Sequence, residues 1–96
     1  MFEDELRKSF KKLLKDLESA GFLKSVNLLK VGLKEDVDTL KFYLKIVEDK
    51  LDKQILSTLN GKLHEIKSNS YNGWADPILA ILYSLKINIW VCLEQL

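Results

Sequence analysis

The chain has 96 residues, of which 47% are hydrophobic and 30% are charged. This size and balance are typical of one globular domain, so we expect a single domain over residues 1–96 and exclude an active-site cleft between two domains. Fifteen Lys and Arg residues stand against fourteen Asp and Glu residues, and the net charge of +1 gives no overall attraction to nucleic acid or to an anionic membrane.

The N-terminus and the cysteine content together indicate an intracellular protein. The first five residues, MFEDE, are acidic where a secretory signal would need basic residues. Cys92 is the one cysteine, so the chain can build neither an internal disulfide nor a zinc site made of thiolates. We therefore expect a cytoplasmic protein with no cofactor and no bound metal.

The first predicted element is an amphipathic helix that ends near residue 20. The apolar residues that recur three and four positions apart are Phe2, Leu6, Phe10, Leu13, Leu14 and Leu17. This spacing places them on one helix face. Residues 3–5 are acidic, and the positive end of the helix dipole favours them there. Gly21 is expected just after the helix, with Phe22 making the hydrophobic contact of a Schellman ending.

Residues 26–47 fit two secondary structures. Leu29, Val31 and Leu33 alternate with polar or small residues, as in a half-buried strand, and residues 40–46 repeat the alternation. This pattern leaves a β-hairpin over residues 26–47, and hence an α+β fold, as an alternative.

A longer helical pattern favours helices over the hairpin. Apolar residues keep helical spacing from residue 37 to residue 59, over about six turns, which a strand would not explain. We therefore predict a long helix here, capped by Asp36 or Asp38. A shorter helix is predicted before it, with Ser25 as its cap and Gly32 as its end.

The connection to the last helix is predicted to be mostly polar. Asn-Gly at 60–61 ends the long helix, a short helical turn follows around residues 63–67, and a loop rich in Asn, Ser and Gly covers residues 68–73. The last helix is expected to open with Asp76 as its cap and Pro77 at its first position.

The last helix is the most apolar element. Between residues 78 and 93, only three residues are polar, namely Ser84, Lys86 and Asn88. A helix that is apolar on nearly every side must be covered on nearly every side. We therefore predict an all-α fold, a small antiparallel bundle of about four helices around this C-terminal helix. A second chain covering the surface around Trp90 and Leu93 is the alternative.

The same run argues against a membrane segment. It is shorter than the ~20 residues that a spanning helix needs, and Lys86 and Asn88 interrupt it. We therefore expect no membrane association.

A basic row on the first helix raises nucleic-acid binding as an alternative function. Arg7, Lys11 and Lys15 lie four residues apart, in a row that could follow phosphates, and Lys8 and Lys12 lie on the same helix. Five acidic residues on this helix match the five basic ones. We therefore interpret the Lys-rich face as a solvated helix surface, and nucleic acid as a partner the sequence argues against.

One segment resembles the phosphoacceptor region of histidine phosphotransfer domains. The segment HEIKSNS begins with His64, and an apolar residue, a lysine and small residues follow. The resemblance implies a surface His64 that accepts a phosphoryl group, with Lys67 steadying the phosphate. Ser68 stands where that family usually has glycine, and Tyr71 and Trp74 stand where it has small residues. Phosphotransfer is therefore a second alternative function.

The absence of any catalytic, metal or nucleotide motif favours a non-enzymatic interaction module. We expect an adaptor, inhibitor, immunity or assembly factor that acts through a helical surface. Its partner would be another protein, or a second copy of the chain in a homodimer. The expected contact residues are Tyr71, Trp74, Trp90 and Leu93, because aromatic side chains are enriched at interaction surfaces.

Overall fold

The computed structural model describes residues 2–62 and 77–96, and α-helices account for nearly all of them. In chain order the helices are α1 (Phe2–Ser19), α2 (Leu23–Gly32), α3 (Val37–Gly61) and α4 (Pro77–Gln95). The described residues contain no strand, which confirms the all-α class. The alternative β-hairpin over residues 26–47 is wrong, because that stretch forms most of α2 and the first part of α3.

The four helices form an elongated bundle that measures 48 × 22 × 21 Å. α4 packs against α1 and α3, and α2 packs against the same two helices. α2 has 10 residues and α3 has 25, so α2 can cover only part of the length of α3. α1 and α3 are therefore the helices that connect the rest of the bundle.

α1 ends in the Schellman motif that the sequence predicts. The backbone N–H of Gly21 donates to the carbonyl of Glu18 at 3.0 Å, and that of Phe22 donates to the carbonyl of Leu17 at 2.9 Å. Gly21 has a φ of 87°, in the left-handed region that favours a residue without a Cβ atom. Phe22 is partly buried and packs against the hydrophobic core, of which Leu17 is a member.

A tight turn joins α2 to α3 where the alternating pattern suggested strands. Asp36 caps α3, because its Oδ1 accepts a hydrogen bond from the backbone N–H of Thr39 at 2.7 Å. Gly32 is buried at the end of α2, and a Cβ atom there would lie 2.8 Å from the ring of Tyr43 on α3. α2 begins before Ser25, so Ser25 is a buried residue within the helix and not its cap.

One face of each described helix contributes to a single apolar core. The buried apolar residues are Phe10, Leu13, Leu17, Val26, Leu29, Leu40, Leu44, Val47, Leu51, Ile55, Leu79, Leu82, Leu85, Ile89 and Cys92. Asn88 is also buried, and its Nδ2 donates to Oδ2 of Asp16 at 2.9 Å. This bond joins α4 to α1 across the edge of the core and satisfies a polar group that would be costly to bury alone.

Three sequence predictions lie outside the described residues. They concern the helical turn at residues 63–67, the polar loop at 68–73 and the cap at Asp76. Pro77, in contrast, is the first residue of α4 as predicted, since its fixed φ suits the first helical position and its missing N–H would be unpaired there anyway.

Candidate partner-binding surface

α4 is apolar on two opposite faces, and the bundle covers only one of them. The face toward α1 and α3 buries Leu79, Leu82, Leu85, Ile89 and Cys92. The opposite face, called the outer face below, consists of the exposed residues Ala80, Tyr83, Ser84, Ile87, Trp90 and Val91. The described helices therefore do not surround α4. In a bundle of four helices each helix occupies a corner, so an all-apolar helix keeps one side uncovered.

The outer face is uncharged, and its large side chains are about half exposed. The exposed fractions are 48% for Tyr83, 56% for Ile87, 53% for Trp90 and 39% for Val91. The small residues Ala80 and Ser84 lie in the same row as Ile87 and Val91, because successive members are four, three and four residues apart. The result is a continuous apolar stripe along α4, in which small side chains leave depressions between the large ones.

Trp90 is held in place at the α3 edge of the outer face. Its indole Nε1 donates to Oε2 of Glu48 at 2.5 Å, and Nζ of Lys86 lies 5.6 Å from the ring centroid. Lys86 is itself paired with Asp52 at 2.5 Å, and the hydrogen bond to Asp52 raises the pKa of Lys86. The Trp90 ring is thus held by a hydrogen bond at its edge and by the Lys86 ammonium over its face, while about half of the residue faces solvent.

The polar pairs along α3 also define the register of α3 against α4. Lys86 on α4 meets Asp52 on α3. Trp90, four residues after Lys86, meets Glu48, which lies four residues before Asp52. The two helices are therefore antiparallel. The same register, extended by one turn, brings Leu56 level with the start of the outer face, and Leu56 is 60% exposed.

The opposite edge of the outer face is bounded by α1. A shallow cleft between the two helices is lined by Asp16, Ser19, Ala20, Ala80, Ile81, Ser84 and Leu85. Asp16 also accepts the hydrogen bond from Asn88. The outer face is consequently bordered by hydrogen-bonded polar groups on both sides, with the apolar stripe between them.

The four contact residues expected from the sequence have different positions. Trp90 belongs to the outer face, whereas Leu93 is partly buried and packs against the core. Tyr71 and Trp74 lie outside the described residues, and so do His64 and Lys67 of the phosphotransfer alternative. The sequence reasoning did not single out Tyr83, Ile87 or Val91, which the fold exposes. No local signal identifies them, because α4 is apolar on nearly every side and its spacing does not show which side faces outward.

The basic row of α1 is exposed, and acidic residues surround it. Arg7, Lys11 and Lys15 face solvent, and the exposed Glu18 lies on the same helix. Arg7 and Lys11 also line a cleft at one end of the bundle that Glu35 and Asp36 share. The row therefore lies within a mixed-charge surface, which does not have the single-sign field that phosphate backbones attract.

Cys92 has the environment of a structural cysteine. Its side chain is fully buried on the core face of α4, and burial raises the pKa of its thiol to about 11. A thiol with such a pKa is almost entirely protonated at neutral pH, and the protonated form is a poor nucleophile.

Among the described residues, no three acidic, histidine or cysteine side chains converge as metal ligands would.

α4 is long and apolar enough to cross a membrane, on length and composition alone. One-third of the residues in its most apolar window are buried within the bundle. Core helices of soluble proteins meet the same criterion of length and composition. The contacts of Lys86 and Asn88 with α3 and α1 tie this helix to the rest of the fold.

Comparison with known proteins adds no relative to this description. No family model matches the chain, and neither a curated protein nor a solved structure matches it significantly.

Proposed function

We propose that this protein is a non-enzymatic interaction module that binds another protein through the outer face of α4. The observation that carries the proposal is a continuous uncharged stripe of half-exposed Tyr83, Ile87, Trp90 and Val91 on a helix whose opposite face is fully packed. An adaptor, inhibitor, immunity or assembly factor would use such a surface.

Covering this stripe would contribute favourably to binding. Moving half of a large apolar side chain out of water contributes about 1 kcal/mol or more, and the outer face offers four such side chains. Tyr and Trp are also enriched among the residues that dominate binding energy. Because Trp90 is already held by Glu48 and Lys86, a partner would lose little side-chain entropy in ordering it.

The border of the stripe also suits a protein partner. Protein interfaces combine an apolar centre with a polar rim. Here Glu48, Asp52 and Lys86 form such a rim on the α3 side, and Asp16 does so on the α1 side. These groups can exchange water for polar contacts with a partner while the apolar stripe is covered.

A capture experiment with matched variants tests this proposal. The tagged full chain would be used as bait in an extract of its native source, beside Ile87→Asp and Phe42→Asp baits, with quantitative mass spectrometry of the retained proteins. Phe42 is 62% exposed and lies on α3 next to Tyr43, so it matches Ile87 in exposure but not in location. We expect a protein retained by the wild-type and Phe42→Asp baits to be lost with Ile87→Asp.

The outer face is not the binding surface if all three baits retain the same proteins in the same amounts. Circular dichroism of the three baits is the control that the substitutions leave the helices intact.

A further inference from the structure

We infer that the partner of the outer face is a second copy of this chain, with the two α4 helices packed antiparallel about a two-fold axis at Ile87. This inference rests on the proposed function, because it identifies the protein that covers the same face. The resulting assembly is a homodimer, and each copy covers the outer face of α4 in the other copy.

The outer face can meet a copy of itself without electrostatic repulsion. A two-fold interface uses the same patch on both subunits, so a charge near the axis would lie close to an identical charge. None of the six residues of the outer face is charged. Lys86, which lies nearby on α4, is already paired with Asp52 of its own chain.

The side chains of the stripe can pack against their own copies in an antiparallel pair. Tyr83 and Trp90 lie on one edge of the stripe, and Ser84 and Val91 lie on the other, because residues seven apart share a helix edge. A two-fold axis at Ile87 brings each edge against the same edge of the other copy, so Trp90 of one copy meets Tyr83 of the other, and Ser84 meets Val91. Aromatic pairs of this kind contribute beyond the area that they bury.

The charge at the end of α4 also favours the antiparallel arrangement. Glu94 is exposed at the C-terminal end of the stripe. In the antiparallel pair it lies near Ala80 of the other copy, close to the N-terminal end of that helix, where the helix dipole favours a negative charge. In a parallel pair the two Glu94 carboxylates would face each other.

The area of the stripe allows a weak dimer. The exposed fractions of its residues correspond to at most about 500 Å² of surface per copy, so a pair would cover no more than about 1,000 Å² in total, the lower limit for specific interfaces. The dimer is therefore reversible, and its population depends on concentration.

A membrane surface matches the border of the stripe less well than a second copy does. Glu48 and Asp52 flank the stripe on one side, and Asp16 lies on the other. Helices that lie on anionic membranes carry Lys and Arg at this border, where they meet the headgroups. The border also contains Lys86, but its charge is paired with Asp52. Three carboxylates against one lysine favour a protein over lipid.

Sedimentation of the purified full chain tests the dimer. We expect the weight-average mass of the wild type to rise with concentration from 11.1 kDa toward twice that value. Ile87→Asp should remain at the monomer mass throughout, and the control Phe42→Asp should associate like the wild type. A wild-type chain that stays monomeric up to about 100 µM, or an Ile87→Asp variant that dimerises normally, would overturn the inference.

Cross-linking tests the orientation with a second pair of variants. A short bis-maleimide should link two copies of Ile87→Cys, because the axis passes through this residue. It should not link two copies of Glu94→Cys, because the two positions would be about 20 Å apart in an antiparallel pair. Equal cross-linking of both variants would show a parallel pair and overturn the antiparallel arrangement. The buried Cys92 is the internal control for non-specific labelling.

The failures of the two proposals can be told apart. A monomeric wild type that still captures a different protein through Ile87 would overturn the dimer and leave the interaction module standing. A monomeric wild type that binds phosphatidylcholine vesicles through Ile87, and retains no protein, would overturn both.

Discussion

At the scale of single residues, Gly32 decides how closely α2 and α3 approach. A Cβ atom at this position would lie 2.8 Å from Cδ2 of Tyr43 and 3.1 Å from Cδ1 of Leu40. Neither distance is an ordinary van der Waals contact, so a larger residue would have to displace one of these side chains. The close packing of α2, the shortest of the described helices, thus depends on the absence of one methyl group.

We expect Gly32→Ala to lower the free energy of unfolding by about 1–2 kcal/mol, because the cost of overpacking exceeds the gain in helix propensity. Gly61→Ala is the matched control, since Gly61 also ends its helix but a Cβ atom there would meet nothing within 4 Å. Gly61→Ala should be neutral or slightly stabilising. Urea unfolding of both variants at one protein concentration measures the difference, and equal stabilities would contradict the argument.

At the scale of the element, the start of α3 depends on the charged form of Asp36. The hydrogen bonds from Thr39 hold the pKa of Asp36 below its ordinary value. A carboxylate whose folded-state pKa is depressed contributes stability above its unfolded pKa, and this contribution is lost as pH falls through the folded pKa. The cap is therefore a source of acid sensitivity in α3.

We expect Asp36→Ala to lower Tm at pH 7, and we expect the gap from the wild type to shrink as the pH falls below about 4. Asp38→Ala is the control, because Asp38 lies in the first turn of the same helix but is not its cap. Its effect at pH 7 should be smaller. Thermal unfolding followed by circular dichroism between pH 7 and pH 3 measures both gaps. A gap for Asp36→Ala that is unchanged by pH would disprove a role for the carboxylate.

The elements could be predicted wherever one signal extended over several turns. α1 and α3 follow from the spacing of their apolar residues, and Gly21 and Pro77 mark a helix end and a helix start. Residues 26–47 are ambiguous in the sequence because a few alternating residues also fit a helix. The spacing that continues to residue 59 favours helices, and the structure confirms this choice with the cap at Asp36 and the packing at Gly32.

The candidate site could be predicted only in part, for a related reason. A helix that is apolar on every side gives no polar face to show which side points outward. Two polar residues determine its rotation in the fold, since Asn88 bonds to Asp16 on α1 and Lys86 pairs with Asp52 on α3. Both partners are more than 30 residues away along the chain, so local spacing cannot reveal them. Trp90 is identifiable from its residue type, and the rest of the stripe requires the tertiary structure.

At the scale of the whole molecule, the side of α4 opposite the stripe forms part of the core. Cys92 lies there with no exposed surface, between helices that contact α4 from both sides. Its burial raises the pKa of the thiol to about 11. A raised pKa means that the folded state holds the thiol proton more tightly, so stability is lost as pH rises above the ordinary pKa of a cysteine, near 8.5.

We expect Cys92 to react with a thiol reagent only when the bundle opens, so its labelling rate at pH 8 should report the stability of the whole molecule. Gly32→Ala should therefore accelerate labelling by roughly tenfold for each 1.4 kcal/mol of lost stability, if opening and closing are fast relative to the reaction. At a protein concentration that keeps the chain monomeric, the added thiol of Ile87→Cys should react at the rate of a free cysteine, because position 87 is 56% exposed in the single chain. In the Ile87→Cys variant, mass spectrometry of quenched samples measures the labelling rates of Cys92 and of the thiol at position 87 in one protein. If Cys92 reacted as quickly as the thiol at position 87, the core would have to open locally around α4, and the tight packing of this helix against α1 and α3 would be refuted.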